Sequence, residues 1–361
     1  MKLIERHVCE VTGVGDLEPL HTFPDFPVFM GCSDQAPELD LRQEMSWWIS
    51  KSSGLIQLKK LLPLDVLYPE SHGAGAVGKL WQEHHKSFAA FVNKAKPSNV
   101  FEIGGAHGIL ARKYQAIDSI PWIILEPNPS PVEGCKAQFI RGFFDEEFSW
   151  SGDVDTVVHS HVFEHIYIPD RFMQRLSDFV PKNKKLIFSV PNMSVMLERK
   201  YTNCINFEHT NLLTEPYIEY FLAKHGFTIA LKEYFLEDHS IFYSAIRENR
   251  VEAPALAENL YELNKGLYLD FVNYHEKLVT EINQKVVETS QTVFLFGAHV
   301  FSQYLIEIGL DTERIKCILD NDPMKQGRRL YGTSLKVFSP EVLRSEKIRW
   351  LFCGQAYTTM R

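Results

Sequence analysis

Glu102-Ile103-Gly104-Gly105-Ala106-His107-Gly108 closes the apolar run that begins Asn99-Val100-Phe101, and the architecture of the chain can be inferred from it. A short apolar run that ends in paired glycines reads as a buried strand turning sharply into a helix, here from about Ile109. Glycines let a backbone turn tightly and approach a ligand with no Cβ in the way. The helix that follows presents free N–H groups and the positive end of its dipole. Working outward, Trp122–Leu125, Asp155–His159 and Lys185–Val190 read as further strands with helical segments between them, as a doubly wound parallel sheet requires. After a helix over Thr214–His225 come Phe227–Tyr234 and Ser240–Ile246, separated by a short polar turn. Strands this close pair antiparallel, because a parallel crossover needs a dozen or more residues. The expectation is an α/β fold with a Rossmann-like sheet.

The turn also indicates which nucleoside it holds. A dinucleotide fingerprint would need glycines at 104, 106 and 109, where the chain has Gly104, Ala106 and Ile109. The pattern acid-x-Gly-x-small-x-Gly fits Glu102, Gly104, Ala106 and Gly108 instead. Glu126 follows 22 residues after Gly104, at the end of the second strand, where a carboxylate can accept hydrogen bonds from both hydroxyls of a ribose. With the hairpin ending, these residues point to S-adenosylmethionine (SAM) as cofactor. The region resembles the class I SAM-dependent methyltransferases. The likeness continues through Asp155-Thr-Val-Val-His-Ser-His161-Val162-Phe-Glu164-His165-Ile, Phe188-Ser-Val-Pro191-Asn192 and Phe207-Glu208-His209. It implies that Gly105 and Pro127 border the cofactor, that His161 and Val162 line its methionine end, and that Gly142, Phe143 and Phe144 line the adenine.

The flanking zones narrow the resemblance. Val293-Phe-Leu-Phe-Gly297-Ala298-His299, then Asp320-Asn321-Asp322-Pro323-Met324-Lys325-Gln326-Gly327 and Tyr331-Gly332-Thr333, look like the C-terminal Rossmann-like domain of the bacterial sugar C-methyltransferases. In that family this domain helps hold a nucleotide-linked sugar. The family's N-terminal zinc module carries two Cys-x-x-Cys pairs, matched here by Cys9-Glu-Val-Thr12 and Ser50-Lys-Ser-Ser53. Structural zinc takes four N or S donors, so no metal is expected; His7 and Cys32 could rebuild only part of a site. Tyr68-Pro-Glu-Ser-His72 resembles the loop leading to the cofactor, which implies that Tyr68 touches SAM. Three units are expected: a degenerate zinc-module-like region over 1–75, a SAM-binding domain over 76–250, and a linking helix with a second Rossmann-like domain over 251–361. The helix, from about 255 to 288, carries Leu256, Leu260, Leu263, Leu267, Phe271, Tyr274, Leu278, Ile282 and Val286 on one stripe.

Bulk properties bound the rest. The 361 residues have a formal net charge of -8, 45% hydrophobic and 23% charged residues, and no basic stripe, so a nucleic-acid partner is not expected. No run approaches the roughly 20 apolar residues that span a bilayer, so no membrane association is expected. Six dispersed cysteines without a Cys-x-x-Cys pair suit a reducing cytoplasm. A monomer or homodimer acting on a small molecule fits these properties.

Methyl transfer is an in-line displacement at a sulfonium carbon, and an alcohol or activated C–H acceptor must also lose a proton. His165, after the fourth strand, and Glu208-His209, after the fifth, fall at the carboxyl edge where open α/β sheets place their sites. The resemblance makes them the candidate catalytic residues. Asn206 stands where the family has tyrosine, and is the candidate substrate contact. His159, His161 and His165 also admit a metal reading, with His159 and His161 on one strand face, but no accompanying Asp-His pair supports it. Two other readings are a non-catalytic SAM-binding scaffold and an NAD-dependent sugar-modifying enzyme. The first would bind SAM without turnover; the second would copurify with dinucleotide.

Overall fold

The computed structural model describes residues 2–68, 78–248, 255–345 and 349–353. Short antiparallel pieces come first. Strand β1 (Ile4–Glu5) pairs with β6 (Lys60–Leu61), and β2 (Leu17–Pro27), β4 (Arg42–Ser50) and β5 (Ile56–Leu58) form a three-stranded sheet with β4 in the middle. Met45, Trp47 and Ile49 alternate along β4 and are all fully buried, as the period of a one-sided sheet dictates. Strand β3 (Cys32–Ser33) leaves this group and pairs antiparallel with the distant β16 (Arg329–Leu330). Helix α1 (Leu64–Leu67) leads toward the next unit.

The central sheet has seven strands: β7 (Val100–Ile103), β8 (Trp122–Glu126), β9 (Gln138–Arg141), β10 (Thr156–Ser160), β11 (Lys185–Pro191), β12 (Phe227–Phe235) and β13 (Ser240–Arg247). Their order is β12-β13-β11-β10-β7-β8-β9. All pairs are parallel except those made by β13, which runs antiparallel to both β11 and β12, as the short turn between Phe235 and Ser240 demands. One face is covered by α2 (Lys79–Lys94) and α3 (Ile109–Tyr114), which pack Phe88, Phe91, Leu110 and Tyr114 on Ile124 and Val158. The other is covered by α4 (Pro169–Phe179) and α6 (Glu215–Lys224), which pack Phe172, Leu176, Tyr217 and Phe221 on Val157 and Phe188. The α5 helix (Met193–Glu198) follows β11, and α7 (Leu236–His239) is the single turn between β12 and β13.

One expectation fails here. Helices were expected between all the parallel strands, yet β8 and β10 are joined by the short strand β9 and irregular chain. Pro127, Pro129 and Pro131 follow β8 in quick succession, each lacking an N–H and pushing its predecessor out of helical conformation.

Helix α8 (Leu260–Glu288) connects to a second parallel sheet of β14 (Thr292–Phe296), β15 (Ile315–Leu319), β17 (Val337–Phe338) and β18 (Arg349–Cys353), ordered β17-β15-β14-β18, with α9 (Val300–Glu307) after β14. The α8 stripe is rotated from the expected one. Leu263 and Tyr274 are exposed, while Asn264, Tyr268 and His275 are buried. The cause is polar pairing inside: Asn264 Nδ2 donates to Gly54 O (2.9 Å) and Tyr217 Oη (2.8 Å). Among the described residues no helix is long and apolar enough to cross a membrane.

Candidate active site

The turn after β7 is fixed by its two acids. Gly104 has φ +70°, and a Cβ there would stand 2.8 Å from Val162 Cγ2, so only glycine fits. Ala106 also takes a positive φ, 42°. Glu126, at the tip of β8, accepts from Ala106 N (2.9 Å) through Oε2 and from Asn128 N (3.0 Å) through Oε1. A carboxylate accepts about four hydrogen bonds, so two acceptor sites remain for a ligand's hydroxyls. Glu102 is 2% exposed and accepts from Trp122 Nε1 at 2.7 Å. Burial pushes its carboxyl up to about 7. It is therefore poised to ionise when a cation arrives.

Behind this turn the ends of β10 and β11 supply a second group. The 3₁₀ turn Phe163–His165 places Glu164 and His165, and the loop after α5 supplies Asn206, Glu208 and His209. The His165 ring lies 5.2 Å from the His209 ring, centroid to centroid, with His165 Nδ1 3.2 Å from Tyr68 Oη and 3.8 Å from Glu208 Oε2. Loss of water lowers the affinity of His165 for a proton, opposed by Glu164 and Glu208. Burial also brings His209 down to about 4. Both shifts favour the neutral ring. Glu164, 2% exposed, shares a ligand-distance cluster with His165 and His209 and is pushed up to about 7 by burial.

A single cavity of about 1780 Å³ joins the two groups. Its lining includes Glu102, Gly104, Gly105, Ala106, Glu126 and Pro127, then Gly142, Phe143, Phe144, His161 and Val162, and also Tyr68, His165, Asn206, Glu208 and His209. His299, Asp322 and Lys325 of the C-terminal unit line it as well.

Residues 77–232 match the family model of a methyltransferase domain, and residues 244–351 match that of the C-methyltransferase C-terminal domain. The chain is a class I SAM-dependent methyltransferase. Solved structures similar to it include magnesium protoporphyrin IX methyltransferase from Synechocystis PCC 6803 with bound S-adenosylhomocysteine (17% identity, 48% of this chain and 89% of that one, TM-score 0.38). Others are 1,6-didemethyltoxoflavin-N1-methyltransferase of Burkholderia thailandensis (12%, 47% and 82%, 0.38) and the N-methyltransferase NodS of Bradyrhizobium japonicum WM9 (14%, 47% and 97%, 0.36). No curated protein matches the chain.

The expected residues are placed as follows. Gly108 does not line the cavity; it caps α3 and packs against Cys135 and Phe139. Asn206 turns its amide inward: Oδ1 accepts from Glu208 N (2.8 Å) and His209 N (2.9 Å), and Nδ2 donates to Asn203 O (2.9 Å). It shapes the turn that presents Glu208 and His209. His159 and His161 do not share a face, because His161 leaves the strand at φ 52°. His159 instead stacks on Phe188 at 4.8 Å, next to Phe172, in the α4 layer, while His161 meets Trp81 and His84 of α2. Cys9 Sγ lies 3.1 Å from Ser53 Oγ, so the two turns likened to zinc half-sites do meet. Cys32 is elsewhere, against Ala298 O. Residues 69–72 lie outside the described residues. Glu164, Trp81, His239, His299 and Lys325 line the cavity without having been singled out as site residues; Glu164, His299 and Lys325 were read only as members of motifs, and the spacing around Trp81 and His239 carries no signal.

Proposed function

We propose that the enzyme transfers the methyl group of SAM to a small polar metabolite, either a nucleotide-activated sugar or a surface-polysaccharide precursor. The observation that carries this reading is the reach of the cavity. At about 1780 Å³ it exceeds the roughly 300–1,000 Å³ of a pocket for one ligand, leaving room for a large second one. Its wall includes Lys325 and His299, a cation and an imidazole suited to a phosphate-bearing group. In this reading the middle unit holds SAM, and the C-terminal unit holds the activated end of the acceptor. Glu126 binds the ribose and Glu102 faces the methionine ammonium. His165 takes the acceptor proton as methyl transfer proceeds, Glu208 steadies the resulting imidazolium, and His209 holds the acceptor.

Mass spectrometry of reactions with isotopically labelled SAM and a panel of nucleotide sugars and phosphorylated intermediates tests this. A labelled nucleotide sugar is expected, with turnover falling about 10²–10⁴-fold in His165→Ala. Label on none of the panel, or undiminished turnover in His165→Ala, would overturn it.

A further inference from the structure

Three imidazoles from separate elements converge beside the cofactor turn. His84 comes from α2, His161 from just past β10 and His239 from the end of α7, and one ring nitrogen of each lies within 4.8 Å of the other two. Trp81 packs edge-on against all three, with ring centroids 5.2, 5.0 and 5.1 Å from His84, His161 and His239.

His84 is the anomaly. It is fully buried, and among the described residues neither ring nitrogen has a hydrogen-bond partner. A neutral imidazole carries one donor and one acceptor, and leaving both unpaired out of water is unfavourable unless something else satisfies them. A phenylalanine would fill this aromatic site, beside Phe88, Phe235 and Phe242, without that penalty. His161 is also held under strain, at a positive φ that non-glycine residues seldom adopt. Its Nδ1 lies 3.0 Å from Oε1 of the buried Glu164, and its Nε2 is 2.9 Å from Ser240 Oγ. His239 Nδ1 is 2.6 Å from the same hydroxyl.

We propose that His84, His161 and His239 form a site for one divalent transition-metal ion of the zinc class. Neutral imidazoles are ligands for such ions. Tetrahedral Zn–N bonds of about 2.0–2.1 Å place ligand nitrogens ~3.4 Å apart, so side-chain rotations of less than about 1 Å would close the set. Metal-bound histidines commonly direct their other nitrogen to a carboxylate, the position Glu164 holds beside His161. His161 and His239 both reach the cavity wall, giving the ion an entry path and leaving a fourth position for water or the Ser240 hydroxyl. The ion would tie α2 and α7 to the end of the central sheet, at the edge of the SAM pocket.

The test uses the full chain, freed of metal by chelator and titrated with Co²⁺ and then Zn²⁺. A tetrahedral Co²⁺ absorption band at one ion per chain, displaced by Zn²⁺, is expected, with affinity at least tenfold weaker in His84→Phe and His239→Asn. Circular dichroism verifies that each variant is folded, and either one alone suffices if the other is not. The second cluster, Glu164 with His165 and His209, is controlled by His209→Gln. Binding that survives this change but not His84→Phe supports the proposal. Binding lost in His209→Gln and retained in His84→Phe, or no stoichiometric binding by the unaltered chain, overturns it.

Discussion

Glu102 and Glu126 flank the same turn but are paired differently, and this separates their tasks. Glu126 is held by two backbone N–H groups, so Glu126→Ala removes the acceptors that the proposed function gives to the ribose and also frees the loop. With charge-assisted hydrogen bonds contributing about 1.5–3 kcal/mol each, calorimetry should find SAM affinity weakened at least about 100-fold; unchanged affinity would remove the ribose assignment. Glu102 keeps its proton up to about pH 7 because burial penalises the charged form. An ammonium beside it favours the ionised form, so SAM affinity should fall as pH drops below 7, by up to about tenfold per unit. Glu102→Gln should weaken binding above pH 7 and flatten that profile. Folding alone has the opposite sign: the raised carboxyl favours the folded chain when protonated, and that contribution is lost as pH rises from 4.5 through about 7. These two acids were legible in the sequence because local spacing fixes them to strand ends. Glu164 was legible only as part of a motif, and His84 and His239 not at all, since their partners lie far along the chain.

At the level of elements, six of the seven central strands were readable to within a residue or two from their apolar runs, and the antiparallel ending followed from a short turn; β9, half-exposed and lacking an apolar run, was not. The face of α8 was not, because its buried positions include Asn264, Tyr268 and His275, which a hydrophobic stripe places outside. Beside the Asn264 pairing, a close approach holds that face in place. A Cβ on Gly54, which has φ +71°, would stand 2.4 Å from the Leu260 carbonyl carbon at the start of α8. Gly54→Ala must therefore push the helix start outward as well as bear the cost of a left-handed residue, itself about 1–3 kcal/mol. A loss of at least about 2 kcal/mol is expected, seen as a lower midpoint in urea with little change in slope. A variant as stable as the parent would mean that the helix start adjusts freely.

Across the whole molecule, the N-terminal strands act as a clasp between the other two units. Arg329 forms a two-pronged pair with Asp40 (2.6 and 2.7 Å), and Asp40 also accepts from Gly332 N at 2.7 Å. The carboxylate side chain is 2% exposed. Arg42 pairs with Glu307 at 2.6 Å, and Gln303 donates to Phe29 O and Tyr331 O. On the other side, Tyr217 of the central unit donates to Ser53 O at 2.8 Å. Removing one partner of a buried ion pair strands the other, so Asp40→Ala should cost about 3–5 kcal/mol, measurable by denaturant unfolding of the full chain. A change below 1 kcal/mol would show that the C-terminal unit is held by other contacts.

The ladder between β3 and β16 joins Cys32–Ser33 to Arg329–Leu330. During translation at about 5–20 residues per second, the early strand must wait roughly 15–60 s for its mate to leave the ribosome. Until then Asp40 has no guanidinium to meet and the cavity lacks its C-terminal wall. The nascent chain thus passes through a stage in which the SAM-binding sheet is complete while its clasp hangs open, and a chaperone that shields bare strand edges would act on that stage.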